Sequence, residues 1–157
     1  MREFTIQSNL AVDAAQFAAA TSMHSVNWEL APIVRMTAPA AWKDCSLDQW
    51  ETGRLLFKSW IFLFGFIPVD LHAFRLQEIY PGVGFQERSW SWMNREWSHR
   101  RMVVAHGHGC TVTDQVAVVG RFPILSALLM PVYKFVFRHR HRRLQNKYGK
   151  SDRAMFS

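Results

Sequence analysis

Cysteines, acidic residues and long apolar runs are scarce in this 157-residue chain. Its two cysteines, Cys45 and Cys110, are too few for a disulfide framework, so we expect free thiols in a reducing, cytoplasmic compartment. The apolar runs 55–69 and 122–137 are shorter than the roughly 20 residues of a membrane-spanning helix, and each contains a lysine. The first residues alternate in polarity and lack the apolar core of a signal peptide, which argues against export.

The motifs of several enzyme classes are also missing. No Gly-x-Ser-x-Gly sequence is present, which argues against a serine-hydrolase elbow, and the glycines of 82–84 are too few for a phosphate-binding loop. The histidines and cysteine of 106–110 form one local cluster without a second pair of zinc ligands, while His139 and His141 diverge on a helix. We therefore predict neither a metal nor a cofactor.

Aromatic and basic residues are abundant instead. Aromatic side chains make up 14% of the chain, enough both to fill a core and to line a pocket for an apolar ligand. The formal net charge is +7, and much of the excess lies near the C terminus. This basic segment is typical of a solvated helix end, which we favour over nucleic-acid binding. Weak contact with an anionic membrane stays open for four of its arginines: Arg138, Arg140, Arg142 and Arg143.

The residue pattern predicts one α+β domain over residues 1–150 and a frayed tail at 151–157. Residues 3–10 alternate like a strand, Asp13 caps a short helix over 14–21, and Ser25 caps a second helix that ends before Pro32. A long helix is predicted over 123–147, kinked or broken at Pro131 and stopped by Gly149. Antiparallel strands are predicted between them at 33–38, 54–64, 72–80, 85–92, 97–106 and 110–119, with turns at 68–70, 81–84, 93–95 and 107–109.

One polar cluster is predicted inside this sheet. Trp97, His99 and Arg101 alternate onto one side of a strand, and Asp114 falls in the apolar row of the next strand. A buried carboxylate needs a partner, and His99 and Arg101 are the nearest ones in sequence. Two interpretations stay open: the three groups orient a ligand or exchange protons with it, or they form an internal ion pair that fixes the strand register.

Several short motifs follow one another along the chain: Asn-Trp-Glu-Leu-Ala-Pro at 27–32, Leu-Phe-Gly-Phe-Ile-Pro at 63–68, Trp-Ser-His at 97–99, Thr111 with Asp114 and Val116, and Phe-Arg-His-Arg at 137–140. In order and spacing they resemble the bacterial ligand-binding, polyketide cyclase-like branch of the SRPBCC or START-like superfamily. The resemblance implies a helix-grip fold, in which a curved antiparallel sheet of about six to seven strands wraps around a long C-terminal helix, with two small helices after the first strand. Relatives often carry a second histidine where this chain has Arg101.

The resemblance also implies a cavity between sheet and helix that holds a lipid, isoprenoid or polyketide type of molecule. We predict that a monomer or homodimer binds or carries such a small hydrophobic or amphipathic ligand without catalysis. A polyketide cyclase or dehydratase is the alternative, and a peripheral lipid-transfer or membrane-contact protein is a third interpretation. Strand phase and the resemblance together predict the following cavity-wall residues: Trp60, Phe62, His72, Phe74, Trp97, His99, Arg101, Asp114, Leu128 and Val132.

Overall fold

The computed structural model describes residues 1–151, which form a curved antiparallel sheet, a long C-terminal helix and shorter helices after the first strand. The strands are β1 (Arg2–Leu10), β2 (Val34–Met36), β3 (Phe57–Leu63), β4 (Ile67–Phe74), β5 (Leu76–Tyr80), β6 (Gly84–Ser91), β7 (Asn94–His106) and β8 (Gly109–Gly120). The α-helices are α1 (Ala14–Ala19), α2 (Met23–Leu30), α3 (Ala40–Lys43) and α4 (Pro123–Tyr148), and a 3₁₀ turn spans Leu47–Gln49. The α+β helix-grip architecture predicted from the sequence is confirmed.

The sheet is antiparallel throughout, in the order β1-β8-β7-β6-β4-β3-β2, with β5 pairing beside β4 on β6. It has eight strands where six to seven were expected, because the predicted strand 72–80 divides at Arg75 into the end of β4 and the whole of β5. The long β7–β8 pairing places Arg101 directly opposite Asp114. Alternation then points both side chains to the same face of the sheet, towards α4.

The two small helices begin at polar caps. Asp13 caps α1 as predicted, since its carboxylate accepts a hydrogen bond from the Gln16 amide at 3.1 Å. The cap of α2 is Ser22, and the prediction of Ser25 was wrong by one helical turn. Ser22 and Ser25 each accept a hydrogen bond from the other's amide, and this reciprocal capping box fixes the start of the helix before Ser25.

The β3–β4 connection differs from the predicted turn at 68–70. The hairpin instead turns at Phe64 and Gly65, both of which have positive φ. Pro68 lies within β4 opposite Phe62, where a register shift after Ile61 interrupts the regular pairing. Because proline cannot donate to a ladder, it is tolerated at such an irregularity.

Helix α4 runs unbroken from Pro123 to Tyr148, so of the two effects predicted for Pro131, a kink or a break, the break does not occur. Pro131 removes the hydrogen bond to the carbonyl of Ala127, but both residues are exposed and water can reach that carbonyl. The helix ends at Gly149, as predicted. Among residues 1–151, no helix combines the length and the apolar character that a membrane span requires. Of the predicted tail, residues 152–157 lie outside the described part of the chain.

The apolar core is divided among both halves of the sheet. Helix α4 packs on β1, β8 and α2, whereas the 3₁₀ turn and α2 contribute to a cluster under β3 to β6. In the cluster under β3 to β6, the rings of Phe57 and Phe74 stack with their centres 5.3 Å apart. The three clusters are centred on Leu10, Val112 and Leu144; on Met23, Trp50, Phe57, Phe74 and Phe85; and on Val116, Val118 and Phe137.

Candidate functional site

Asp114 is the centre of a buried network of charged side chains between the sheet and α4. It is 0% exposed and accepts four hydrogen bonds. His99 Nε2 and Arg101 Nε lie 2.9 and 2.8 Å from its Oδ1, while Arg101 Nη2 and His141 Nε2 lie 2.7 and 2.9 Å from its Oδ2. The two partners inferred from strand alternation, His99 and Arg101, are confirmed as contacts of this carboxylate.

Arg101 joins two carboxylates that come from different layers of the fold. One edge of its guanidinium donates to Asp114, and the other edge donates through Nη1 and Nη2 to the two oxygens of Glu29, each at 3.0 Å. Such paired contacts are the strongest form of charge-assisted hydrogen bond. Since Glu29 lies near the end of α2, Arg101 ties this helix to the sheet.

Two consecutive residues of α4 complete the network. Arg140 donates through Nε and Nη2 to Glu29 at 3.0 and 2.8 Å. His141 lies between Asp114 and Ser8 of β1, with its Nδ1 2.8 Å from the serine hydroxyl. Because Arg140 and His141 are both buried, α4 is fixed against α2, β1 and β8 by charged contacts as well as by apolar packing.

Glu87 on β6 extends the network towards β4. Its Oε1 lies 2.7 Å from His72 Nε2, and its Oε2 lies 3.6 Å from His99 Nδ1. His99 therefore stands between two buried carboxylates, Glu87 and Asp114.

The charges of the network stabilise one another's ionised forms. Burial acts to raise the pKa of Asp114, but Arg101 and His99 outweigh it and hold that pKa well below the ordinary value. Glu29 is likewise buried, and Arg101 and Arg140 hold its pKa below normal. Burial also acts to lower the pKa of Arg101, but the two carboxylates raise it. These residues are therefore ionised in the folded protein at neutral pH.

The pKa values of Glu87 and His99 are also shifted in the directions that favour their charged forms. Burial opposes ionisation of Glu87, but its contacts with His72 and His99 lower its pKa to about 2. Burial also acts to lower the pKa of His99, but Asp114, followed by Glu87, raises it. A cationic His99 bridging two carboxylates is the form that these contacts favour.

The geometry of the network is suited to fixing structure. Each of its charged side chains is at most 5% exposed, so the network is shielded from solvent. Among residues 1–151, no group of His, Cys, Asp or Glu side chains has an arrangement that could hold a metal ion. These contacts pair opposite charges on β6, β7, β8, α2 and α4, and so hold these elements together.

Five of the ten predicted cavity-wall residues are buried, and the other five lie nearer the surface. His72, His99, Arg101 and Asp114 belong to the network, while Phe74 packs in the aromatic cluster with Phe57. The others lie nearer the surface: Trp97 is half-buried against Tyr133, Trp60 stacks edge-on with Trp92, Phe62 lies under Arg35, and Leu128 and Val132 are 67% and 46% exposed.

An exposed apolar stripe on α4 lies on the helical face that contacts the end of α2. His139 contacts the carbonyl of Ala31 at the end of α2, at 2.8 Å. One to three turns earlier on the same helical face lie Phe135, Val132 and Leu128, all exposed. Two residues after Ala31, the carbonyl of Ile33 accepts a hydrogen bond from the Phe64 amide of the hairpin at 2.7 Å. We call the stripe and the hairpin together the apolar mouth: Leu128, Val132 and Phe135 with Phe64 and Phe66.

Two concavities accompany the network and the mouth. A small pocket beside Phe85, Arg101 and Val103 has a volume of about 20 Å³, enough for a single water molecule. A second, open groove of about 510 Å³ lies between the start of β1 and α4. It combines an apolar floor with cations, and its lining residues are Arg2, Glu3, Ala127, Met130, Pro131, Lys134 and Arg138.

The basic end of α4 is not the uniform cationic surface that its sequence suggests. Arg140 is buried on Glu29, so the prediction that it meets an anionic membrane is wrong. Arg143 is half-buried and its guanidinium lies 4.4 Å from the centre of the Trp28 ring. Arg138 and Arg142 remain exposed.

Sequence reasoning did not single out several members of the network. Glu87 shares the alternating inward face of β6 with Phe85 and Ser89, which is the signal that would have indicated it. For α4 the signal is the spacing of the buried residues, since Phe137, Arg140, His141 and Leu144 recur at three and four residues. Ser8 shares the alternating inward face of β1 with Ile6 and Leu10, whereas no comparable pattern marks Glu29.

Solved structures with the same fold come from bacteria and plants. This chain aligns with protein CV1439 from Chromobacterium violaceum over 95% of its own length and 98% of that chain, with a TM-score of 0.66 and 9% identity. Major latex-like protein 151 from Panax ginseng aligns over 94% and 97%, with a TM-score of 0.61 and 9% identity. A START superfamily protein from Mycobacterium smegmatis aligns over 92% and 98%, with a TM-score of 0.56 and 6% identity. At such identities the likeness establishes a shared START-like fold.

No curated protein matches the sequence significantly. A family model does match, and it spans residues 8–148, from the first strand to the end of α4. That span includes the whole buried network and the apolar mouth. The chain therefore belongs to the family described as domain of unknown function DUF8410.

Proposed function

We propose that this domain binds a small hydrophobic or amphipathic ligand, without catalysing a reaction, at the apolar mouth. The observation that carries the proposal is the row of exposed apolar side chains on α4, on the helical face that contacts the end of α2. Grouped apolar side chains exposed to water are typical of a binding surface. Leu128 and Val132, which the sequence predicts as ligand contacts, belong to this row.

The buried network supports binding over catalysis. Its carboxylates already contact arginines and histidines, and its side chains are shielded from solvent. A ligand at the mouth would contact the exposed apolar side chains of α4 and of the hairpin, whereas the carboxylates of the network are buried. In this proposal His72, His99, Arg101 and Asp114 hold α4 in position behind the ligand.

The test uses 8-anilinonaphthalene-1-sulfonate, an amphipathic dye whose fluorescence rises in apolar surroundings. We expect saturable binding at one site per chain and competition by dodecanoate, a linear apolar chain with one carboxylate. Val132→Ser and Leu128→Ser should each weaken binding by about fivefold, which is the effect of losing roughly one kcal/mol of apolar contact. Val104→Ser is the matched control, because Val104 is 58% exposed on β7 and lies outside the mouth.

Two results would contradict the proposal. Equal losses for Val104→Ser and Val132→Ser would mean that the dye adsorbs on any exposed apolar residue. A loss with Lys134→Gln and none with the mouth variants would place the ligand in the open groove beside β1, where Lys134 lies.

A further inference from the structure

One end of the domain carries exposed apolar side chains on several adjacent loops. Because every strand pairing is antiparallel, the β3–β4 hairpin, the β6–β7 turn, the start of β1 and the β8–α4 junction all lie at the same end of the sheet. We call this the α4 end, since α4 begins there. Its exposed apolar residues are Phe64, Phe66, Ile67, Trp92, Phe122 and Ile124, of which Phe66 is 72% and Ile124 81% exposed.

Direct contacts hold these loops beside one another. The Arg121 amide donates to the carbonyl of Met93 at 3.0 Å, which joins the β8–α4 junction to the β6–β7 turn. Trp92 of that turn stacks edge-on with Trp60 of β3 at 5.1 Å, which joins the turn to the strand that leads into the hairpin. The hairpin also projects beyond the turn, because β4 pairs with β6 only at His72 and Ala73. The apolar side chains thus form one uneven surface with the hairpin at its tip.

The charge of the α4 end is predominantly positive. Arg2, Arg35, Arg95 and Arg121 are exposed there, and a register shift between Asn94 and Glu96 leaves Arg95 outside the strand ladder. Of the acidic residues at this end, Glu96 lies 3.6 Å from Arg88 and Glu3 lines the groove that also holds Arg2. Most other exposed acids of residues 1–151 lie on loops and strands towards the opposite end: Asp13, Asp44, Asp48, Glu51 and Glu78.

We propose that the α4 end docks on the surface of an anionic lipid bilayer, with the aromatic loops in the interface and the arginines on the headgroups. The projecting apolar side chains can enter the interface of a bilayer, and the flanking arginines can contact its anionic headgroups. A second copy of the chain is a poorer partner, because a two-fold contact would bring the same patch, and therefore the same arginines, face to face. This surface goes beyond the ligand proposal and does not depend on it.

Vesicle flotation tests the proposal with the full chain. The vesicles are pure phosphatidylcholine, or phosphatidylcholine with about one lipid in three replaced by phosphatidylserine. We expect flotation with the anionic vesicles only. Phe122→Ser combined with Ile124→Ser, which changes two exposed residues outside the apolar mouth, should abolish it. Arg2→Gln combined with Arg95→Gln should weaken partitioning by roughly 25-fold, from about fivefold for each arginine.

The matched control is Arg142→Gln combined with Lys150→Gln, which removes the same charge from exposed positions at the other end of α4. An equal loss in this variant would mean that net charge alone attracts the protein, and would overturn the docking surface. Light scattering without vesicles gives the second check. A dimer that dissociates on Ile124→Ser would assign the surface to a second copy instead. The dye assay needs no vesicles, so loss of docking with unchanged dye binding separates this proposal from the ligand proposal.

Discussion

Replacing Arg101 with methionine tests whether the buried network determines the stability of the domain. The change keeps an unbranched side chain of similar reach and removes the charge that Asp114 and Glu29 share. Four hydrogen bonds of 2.7–3.0 Å are lost. Asp114 retains His99 and His141, but two ionised carboxylates are left in the interior with one cation fewer.

Removing one partner from a buried ion pair destabilises proteins by about 3–5 kcal/mol, because the remaining charge stays desolvated and unpaired. Arg101 is 1% exposed and contacts two carboxylates, so we expect the free energy of unfolding of Arg101→Met to fall by about 4 kcal/mol. In a domain of this size such a loss lowers the melting temperature by about 10 °C. Urea unfolding followed by tryptophan fluorescence measures the free energy, and calorimetry measures the temperature.

Arg100→Met is the control for this prediction. Arg100 precedes Arg101 on β7 but is exposed on the other face of the sheet, so its replacement should change the free energy of unfolding by less than about 0.5 kcal/mol. The penalty of Arg101→Met should also shrink as the pH falls, since without Arg101 the two carboxyls protonate more readily. A loss below about 1 kcal/mol for Arg101→Met at neutral pH would refute the reasoning.

Three further predictions concern acid stability, close packing and local motion. The pKa of Glu87 is lowered from 4.5 to about 2. Its contribution of about 3 kcal/mol to the free energy of unfolding is therefore present above pH 4.5 and is lost as the pH falls towards 2. In Glu87→Gln, the free energy of unfolding should decrease less steeply over this pH range. Gly84→Ala should destabilise by at least about 2 kcal/mol in urea, because the new methyl group would collide with the Arg101 backbone carbonyl, whereas Gly82→Ala meets open space and should cost about 1 kcal/mol for its positive φ alone. In hydrogen exchange, amides of α4 before Pro131 should exchange faster than those after it, and equal protection of the two segments would contradict the role given to the network.

The fold could be predicted where the local pattern and the tertiary structure agree. Asp13, Gly149 and the alternation of the long β7–β8 pair indicate their elements correctly, because a cap, a helix stop and a half-buried strand are each specified by neighbouring residues. The hairpin turn at Phe64 was missed because proline and aspartate at 68–70 are stronger turn signals than Phe-Gly. Only the pairing of β4 with β3 explains why those residues continue the strand.

The site could be predicted only in part, for a similar reason. Asp114 and its sheet partners His99 and Arg101 follow from period-two alternation on adjacent strands. Glu29 and Arg140 come from helices, and their contact depends on how α2 and α4 cross the sheet, which no local spacing specifies. The basic run at the end of α4 also obscured Arg140, since one buried arginine among several exposed ones has no distinguishing sequence signal.

A charged interior fixes the position of α4 more narrowly than an apolar one would. Apolar side chains tolerate small sliding movements, whereas a shift of Arg140 or His141 by one or two ångströms would leave a buried carboxylate without its hydrogen bond. These anchors all lie after Pro131, so the first part of α4, residues 123–130, which includes Leu128, is free of them. Substitutions at Leu128 should therefore leave the fold intact, because the network continues to hold α4 in position.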